Sequence, residues 1–318
     1  MIRSLLSSIA VVLAIAVASI APIAHADTRP IKIVVPVPPG GSLDITARLI
    51  AQRWEARGTN VIVENRPGGN TLIGAEVVAH AAADGYTLLM GSTTLAIAPF
   101  QQKTAFTLDS IVPVIQVSTE TFALLASKAS GIETPASIAQ LASSRPGGIN
   151  CISAPGVPEI ACEQVKSVLG GRSATVPYQG LAPATTALAG GHGDIMFSPM
   201  LTAIQQVRGE QARLVAVSSR AAMPDDISPV PLTGDVWKGF VLEGFSGIFA
   251  PAGTPEDRVR ALNREIDAIL REPELRAAML ANVQAPVGGT PEALGQQLKQ
   301  TTARYNDVLV RLKLIAPR

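Results

Sequence analysis

The run Ile31-Lys32-Ile33-Val34-Val35 stops at Pro36, passes Pro38, Pro39 and the Gly40-Gly41 pair, and opens into a helical pattern. A short β-branched run, turn residues and an amphipathic repeat, in that order, spell a buried strand, a tight loop and a helix. In the helical part Ile45, Leu49, Ile50 and Trp54 share one face, while Arg48, Gln52 and Glu55 fall off it. Asp44 sits in the first turn, where a carboxylate suits the positive end of the helix dipole. A helix starting at Gly41 or Ser42 leaves backbone N–H groups at its mouth without internal partners, and such a mouth attracts an anion or a polar oxygen. A Gly-Gly loop also serves as a plain βα connection. This one is not a Walker loop, since no Lys-Ser/Thr follows, and it is not G-x-G-x-x-G.

The same unit recurs along the chain. Strand-like runs at 61–64, 86–90 and 112–117 alternate with a small-residue helix at 73–83. After the apolar run 122–126, Thr134-Pro135 supplies an N-cap and a first-turn proline for a helix to about residue 144. Strands at 149–153, 173–178, 194–198 and 214–218 then alternate with helices at 159–169, 183–189 and 201–208. Alternation of this kind favours a doubly wound parallel sheet, here built twice. Residues 221–236 are rich in Pro, Asp and Ser and suit a surface loop. Thr254-Pro255-Glu256 and Thr290-Pro291-Glu292 head helices at 255–270 and 291–314, with a shorter helix at 274–280 and no strand after them. These helices are expected to return to the first domain. The strands at 122–126 and 244–250 would then cross between domains as a hinge, with a ligand cleft where loop ends meet.

With 318 residues, 47% of them hydrophobic, the chain can fill two ordinary cores. A net charge of +1 gives no reason to expect nucleic acid or an anionic membrane surface as partner. Arg3, the small-apolar run 5–20 and Ala24-His25-Ala26 compose a cleavable export leader, with cleavage expected near Ala26 and a periplasmic product. In an oxidising compartment Cys151 and Cys162 could form a disulfide, although sequence leaves bonded and free thiols equally open.

The ordered motifs resemble the tripartite tricarboxylate transporter receptor family, also called Bug or TctC-type solute-binding proteins. The segments that carry the resemblance are Arg29-Pro30-Ile31-Lys32-Ile33-Val34-Val35-Pro36, Pro39-Gly40-Gly41-Ser42-Leu43-Asp44 and Val63-Glu64-Asn65-Arg66-Pro67-Gly68-Gly69-Asn70. After them come Ala83-Asp84-Gly85-Tyr86-Thr87-Leu88-Leu89-Met90-Gly91-Ser92, Val176-Pro177-Tyr178-Gln179-Gly180 and Ala250-Pro251-Ala252-Gly253-Thr254-Pro255. The resemblance implies an α/β, two-domain periplasmic-binding-protein-like clamshell, each domain a mostly parallel sheet flanked by helices. Domain 1 would span 27–122 completed by 248–318, and domain 2 would span 123–247. It also implies a monomeric receptor that closes on a small organic carboxylate and delivers it to a membrane permease, with no cofactor and no metal.

By matching position, the expected ligand contacts are Pro39, Gly40, Gly41, Asp44, Ser92, Thr93, Ser153, Pro155, Gly156, Tyr178 and Asp194. These are backbone and hydroxyl donors, which can hold an anion without a buried counter-charge. Each has a duller role open to it: Asp44 as a brace of its loop, Ser92 as a helix cap, Tyr178 as core, Asp194 as a turn residue. The chain departs from the family pattern at Pro38, Gln179, Ser198 and the Ser153–Pro158 loop. Gln179 stands where a Lys is usual, which points to a less charged ligand such as a monocarboxylate or aromatic acid. Two other roles compete: a periplasmic partner of a sensor kinase, and an enzyme acting on a small acid. Against the enzyme, the sequence has no Ser-His-acid order, no metal-ligand spacing and no G-x-S-x-G elbow.

Overall fold

The structure is a computed structural model that describes residues 29–101 and 104–316; the leader and its cleavage near Ala26 lie outside the described residues. Strands β1 (Ile31–Val35), β2 (Val61–Asn65), β3 (Thr87–Ser92) and β4 (Ile111–Glu120) open the first lobe. The second lobe contains β5 (Phe122–Ser127), β6 (Ile149–Ser153), β7 (Ser173–Pro177), β8 (Ile195–Pro199) and β9 (Ala212–Val217). The chain then returns with β10 (Gly244–Pro251) and β11 (Gln284–Pro286). The first sheet has the order β11-β4-β10-β3-β1-β2 and the second β7-β6-β8-β5-β9.

Helices cover both faces of both sheets, which is why β5 and β10 are buried along their whole length. In the first lobe these are α1 (Ser42–Ala56), α2 (Leu72–Ala79) and α3 (Thr94–Gln101). In the second they are α4 (Pro135–Ser144), α5 (Val157–Val168), α6 (Leu181–Ala189), α7 (Met200–Arg208) and the single turn α8 (Thr233–Val236). The chain closes with α9 (Glu256–Leu270), α10 (Pro273–Ala281) and α11 (Pro291–Arg311).

The clamshell architecture is as expected, with corrections at the crossing. The segments at 122–126 and 244–250 do not bridge the lobes: β5 lies wholly in the second sheet and β10 wholly in the first. The chain crosses at Thr121 alone on the way out, since β4 ends at Glu120 and β5 begins at Phe122. It enters each lobe from the cleft side, so β5 and β10 run antiparallel to their neighbours. Both sheets are therefore mixed, while the C-terminal ends of β1, β3, β4, β6 and β8 share the cleft edge. The sequence analysis did not assign α3, which follows β3 directly, nor β11, a strand of 3 residues between α10 and α11.

Packing explains where the C-terminal helices go. Val259, Leu262, Ile266, Ile269 and Leu270 of α9 are buried in one core with β1, β3 and α1. At roughly 1.5–3 kcal/mol for each buried aliphatic side chain, that stripe alone fixes α9 to the first lobe. The buried Trp54 of α1 adds a hydrogen bond from Nε1 to Glu265 Oε2 of α9 at 2.8 Å. Helix α11 behaves differently from the expected cover of domain 1. Leu294 and Leu298 pack in the first lobe, whereas Tyr305, Val308 and Leu309 pack in the core of the second.

Cys151, at the centre of β6, and Cys162, on α5, are joined in a disulfide with Cα atoms 5.7 Å apart. The closed loop is short, so the bond limits the unfolded chain by about 3 kcal/mol. Cys151→Ala with Cys162→Ala is expected to lower the unfolding free energy of the second lobe by about 2–3 kcal/mol, measured by urea denaturation. An unchanged midpoint would mean that the bond adds nothing beyond packing.

Candidate functional site

A cleft of about 1240 Å³ lies between the lobes. Its first wall is made of the loops that follow β1, β2 and β3. Pro39, Gly40, Gly41, Ser42 and Leu43 line it, as do Gly69, Asn70, Thr71, Ser92, Thr93 and Thr94. Its second wall carries Pro155, Glu159, Gln179, Gly180, Leu181 and Pro199. Both walls are built of helix starts, because strands that end at the cleft are followed by helices that begin there. The N-caps of α1, α5 and α6 are Gly41, Gly156 and Gly180, and none has a side-chain cap. The N–H groups of these first turns are therefore left for solvent or a solute.

The shape of the first wall is fixed by Asp44. Asp44 is 3% exposed. It accepts hydrogen bonds from the Gly40 N–H at 2.9 Å, from Asn65 Nδ2 at 2.9 Å and from Arg48 Nε at 3.1 Å. Asn65 also donates to the Val37 carbonyl at 3.1 Å. Burial raises the Asp44 carboxyl, but hydrogen bonds from Arg48, Gly40 and Asn65 outweigh it and hold the group below its ordinary value. Gly40 has φ +85°, a left-handed conformation that suits glycine at the turn. The bracing role thus belongs to Asp44, which does not line the cleft.

The other expected contacts divide. Pro39, Gly40, Gly41, Ser92, Thr93 and Pro155 line the cleft together. Ser92 Oγ accepts from Thr94 N–H at 3.4 Å, leaving its own O–H to donate, while Thr93 Oγ1 accepts from the Phe245 N–H at 2.9 Å. Ser153 is 1% exposed and does not line the cleft; its carbonyl accepts the Tyr178 N–H. Gly156 is buried at the lobe contact with φ +90°, and a Cβ there would stand 3.4 Å from Thr94 Oγ1. Tyr178 packs against the second-lobe core, and Gln179 lines the cleft instead, as chain alternation past the strand end dictates. Asp194 precedes β8 and so lies at the sheet edge away from the cleft. There Arg145 Nη1 donates to its Oδ1 at 2.6 Å and the Asn150 N–H to its Oδ2 at 2.8 Å.

Sequence reading missed the far end of the cleft. Phe100, Phe122, Leu309, Leu314 and Ile315 make an apolar side there. Glu120, Glu159 and Glu163 are the charged side chains of the lining, and among the described residues no lysine or arginine joins them. Glu163 pairs with Lys166 at 3.7 Å. Burial pushes the Glu120 carboxyl up to about 8, although one side of it is open to the cleft. Nothing in the local sequence marks Glu120, since its setting comes from strands distant along the chain. Asn70 closed a motif that was visible but unassigned, and Thr71 lies just beyond it.

This arrangement defines a two-lobed solute-binding protein of the periplasmic-binding-protein type, with a cleft at the tips of both sheets. Residues 46–314 match the family described as "Tripartite tricarboxylate transporter family receptor", and the chain belongs to that family. It is 31% identical over 303 residues to the "UPF0065 protein in tcbD-tcbE intergenic region" of Pseudomonas sp. (strain P51), covering 91% of this chain and 88% of the relative. The structure of "R. palustris Rpa4515 with adipate" is similar at TM-score 0.82 and 25% identity, covering 91% of this chain and 98% of that one. "MatC (Rpa3494) from Rhodopseudomonas palustris with bound malate" is similar at TM-score 0.75 and 28% identity, covering 89% and 99%.

Two expected outcomes follow from the electrostatics. Asp44→Asn removes the ionised acceptor, so the Gly40 amide is expected to exchange hydrogen at least about tenfold faster, a loss of about 1.4 kcal/mol or more. An unaltered rate would deny Asp44 the bracing role. For Glu120, the folded state prefers the neutral acid, so its ionisation weakens the fold as pH rises from its ordinary 4.5 towards about 8. Glu120→Gln is expected to melt progressively above wild type as pH increases through that window, with the smallest gap at the acid end.

Proposed function

We propose that this chain is an extracytoplasmic receptor that captures a small organic monocarboxylate between its lobes and delivers it to a membrane permease. The observation that carries the reading is the set of uncapped helix starts, α1 from one lobe and α6 from the other, opening on one cleft. Backbone N–H groups at helix mouths bind a carboxylate and cost less than burying an ion pair. The similar structures support an organic acid as ligand, since Rpa4515 is described with adipate and MatC with malate, both of them dicarboxylates. Among the described residues the lining holds no lysine or arginine to pair a second carboxylate, and the apolar side made by Phe100, Phe122, Leu309 and Ile315 suits a hydrocarbon body. The family name supports a permease as the recipient. The leader-like residues 1–26 support periplasmic residence. Among the described residues no helix is long and apolar enough to cross a membrane.

Binding is coupled to closure, because a solute held by both walls favours the closed form by its differential affinity. The test is a thermal-shift screen of the mature protein against organic acids, followed by calorimetry. Monocarboxylates are expected to raise the melting temperature most, by mass action on the native state. Dicarboxylates bound much more tightly than monocarboxylates would overturn the ligand class. With a tight ligand, small-angle scattering is expected to report a smaller radius of gyration, and no change would contradict closure.

A further inference from the structure

Glu120 occupies the end of β4, one residue before the chain crosses to the second lobe. It opens on the cleft in front and on a hollow of about 280 Å³ behind, which Gln116, Ser218, Gln297 and Arg304 also line. Among the described residues no hydrogen bond reaches its carboxyl, and burial is the influence on its ionisation. The charged groups around it are engaged elsewhere. Arg304 forms an ion pair with Glu243. The Tyr305 phenol, pushed up by burial, donates to the Glu243 carbonyl at 3.0 Å. Across the cleft, α5 presents Glu159 and Glu163, both acidic. Among the described residues Glu120 thus has no protein partner, and a solute or water can supply one.

Register gives the distance. Ser92 and Ser118 both pair with Ser246, so they are level and two strands apart. At about 4.8 Å per strand and about 3.4 Å per residue, Glu120 stands roughly 12 Å from Ser92 along the sheet edge. After allowance for the side chain and the hydrogen bonds, that span fits a chain of about five or six carbons. The loops proposed to bind the carboxylate lie at one end of this span, and at the other is a carboxyl that no described residue partners.

We propose that Glu120 determines specificity at the far end of the cleft, selecting a carboxylate whose opposite end carries a cationic nitrogen and rejecting a second carboxylate. This rests on the receptor reading above. An ammonium within hydrogen-bond reach stabilises ionised Glu120, whereas a second carboxylate finds only the protonated acid as donor and, among the described residues, no lysine or arginine in the lining. Because Glu120 is held mainly neutral at pH 7, a cationic ligand must expel its proton on binding.

The experiment is calorimetry of the mature protein at pH 7 with hexanoate, 6-aminohexanoate and adipate, which share one chain length. Each is titrated in two buffers of different ionisation enthalpy. Wild type is expected to bind 6-aminohexanoate at least about tenfold more tightly than hexanoate, with adipate weakest. Binding of the amino acid is expected to release about one proton. In Glu120→Gln that preference should fall to about parity and the proton release should vanish, with Glu120→Asp restoring part of both. Preference for adipate, an unchanged ranking in Glu120→Gln, or no proton release would overturn the proposal. If none of the three binds while another organic acid does, this proposal fails and the receptor reading survives. If no organic acid binds at all, the receptor reading fails as well.

Discussion

The structure depends on one constraint: a strand that ends at the cleft must be followed by something that begins there, and here that is a helix. Each helix start carries backbone donors that its own ladder cannot satisfy. At α1, α5 and α6 the N-cap is a glycine, so no side chain satisfies them either. Two lobes built on this rule face each other, and the donors collect on both sides of one hollow. A site of this kind can receive negative charge through the main chain, and its geometry is set by whatever holds the loops. At the first wall that is Asp44, which joins the Gly40 amide to Asn65 at the end of β2 and to Arg48 one turn along α1.

The same rule shapes the connection between the lobes. The chain leaves β4 and enters β5 with only Thr121 between them, and Thr121 is held to the second lobe, accepting the Met200 N–H and donating to the Ala221 carbonyl. Behind it, Ser118 Oγ lies 2.7 Å from Ser246 Oγ and donates to Gln284 Oε1 at 2.8 Å. This buried trio pins β4 to β10 and β11, keeping the first-lobe side of the crossing stiff. Helix α11 packs on both lobes, through Leu294 and Leu298 on one side and Tyr305, Val308 and Leu309 on the other. Separating the lobes would expose those side chains, so a rotation that keeps them covered is cheaper than a translation.

Much of this was visible in the chain, and the reasons for the remainder are physical. The β-branched runs and their glycine or proline stops marked strands and cleft loops, because period and turn chemistry are local properties. Gly40, Gly41 and Ser92 could be found in that way. Tyr178 could not be separated from Gln179, since one residue of parity past a strand end decides which of them faces the cleft. Asp194 stood beside the right strand but before it, and only topology shows that the two ends of a strand have different fates. Glu120, Phe100, Leu314 and Ile315 left no local sign, because their neighbours are far away in sequence. The reversed direction of β5 and β10 was hidden likewise, being a consequence of where the chain enters each lobe.

The central proposal is that the carboxylate of the solute is held by main-chain donors at the lobe tips, where among the described residues no lysine or arginine lines the cleft. A crystal structure of the mature protein loaded with a tightly bound acid tests it most directly. The expected result is carboxylate oxygens about 3 Å from backbone N–H groups of the 39–43 loop, with the second lobe closed over them. A carboxylate found in an ion pair with an arginine or lysine, or bound outside the cleft, would contradict it.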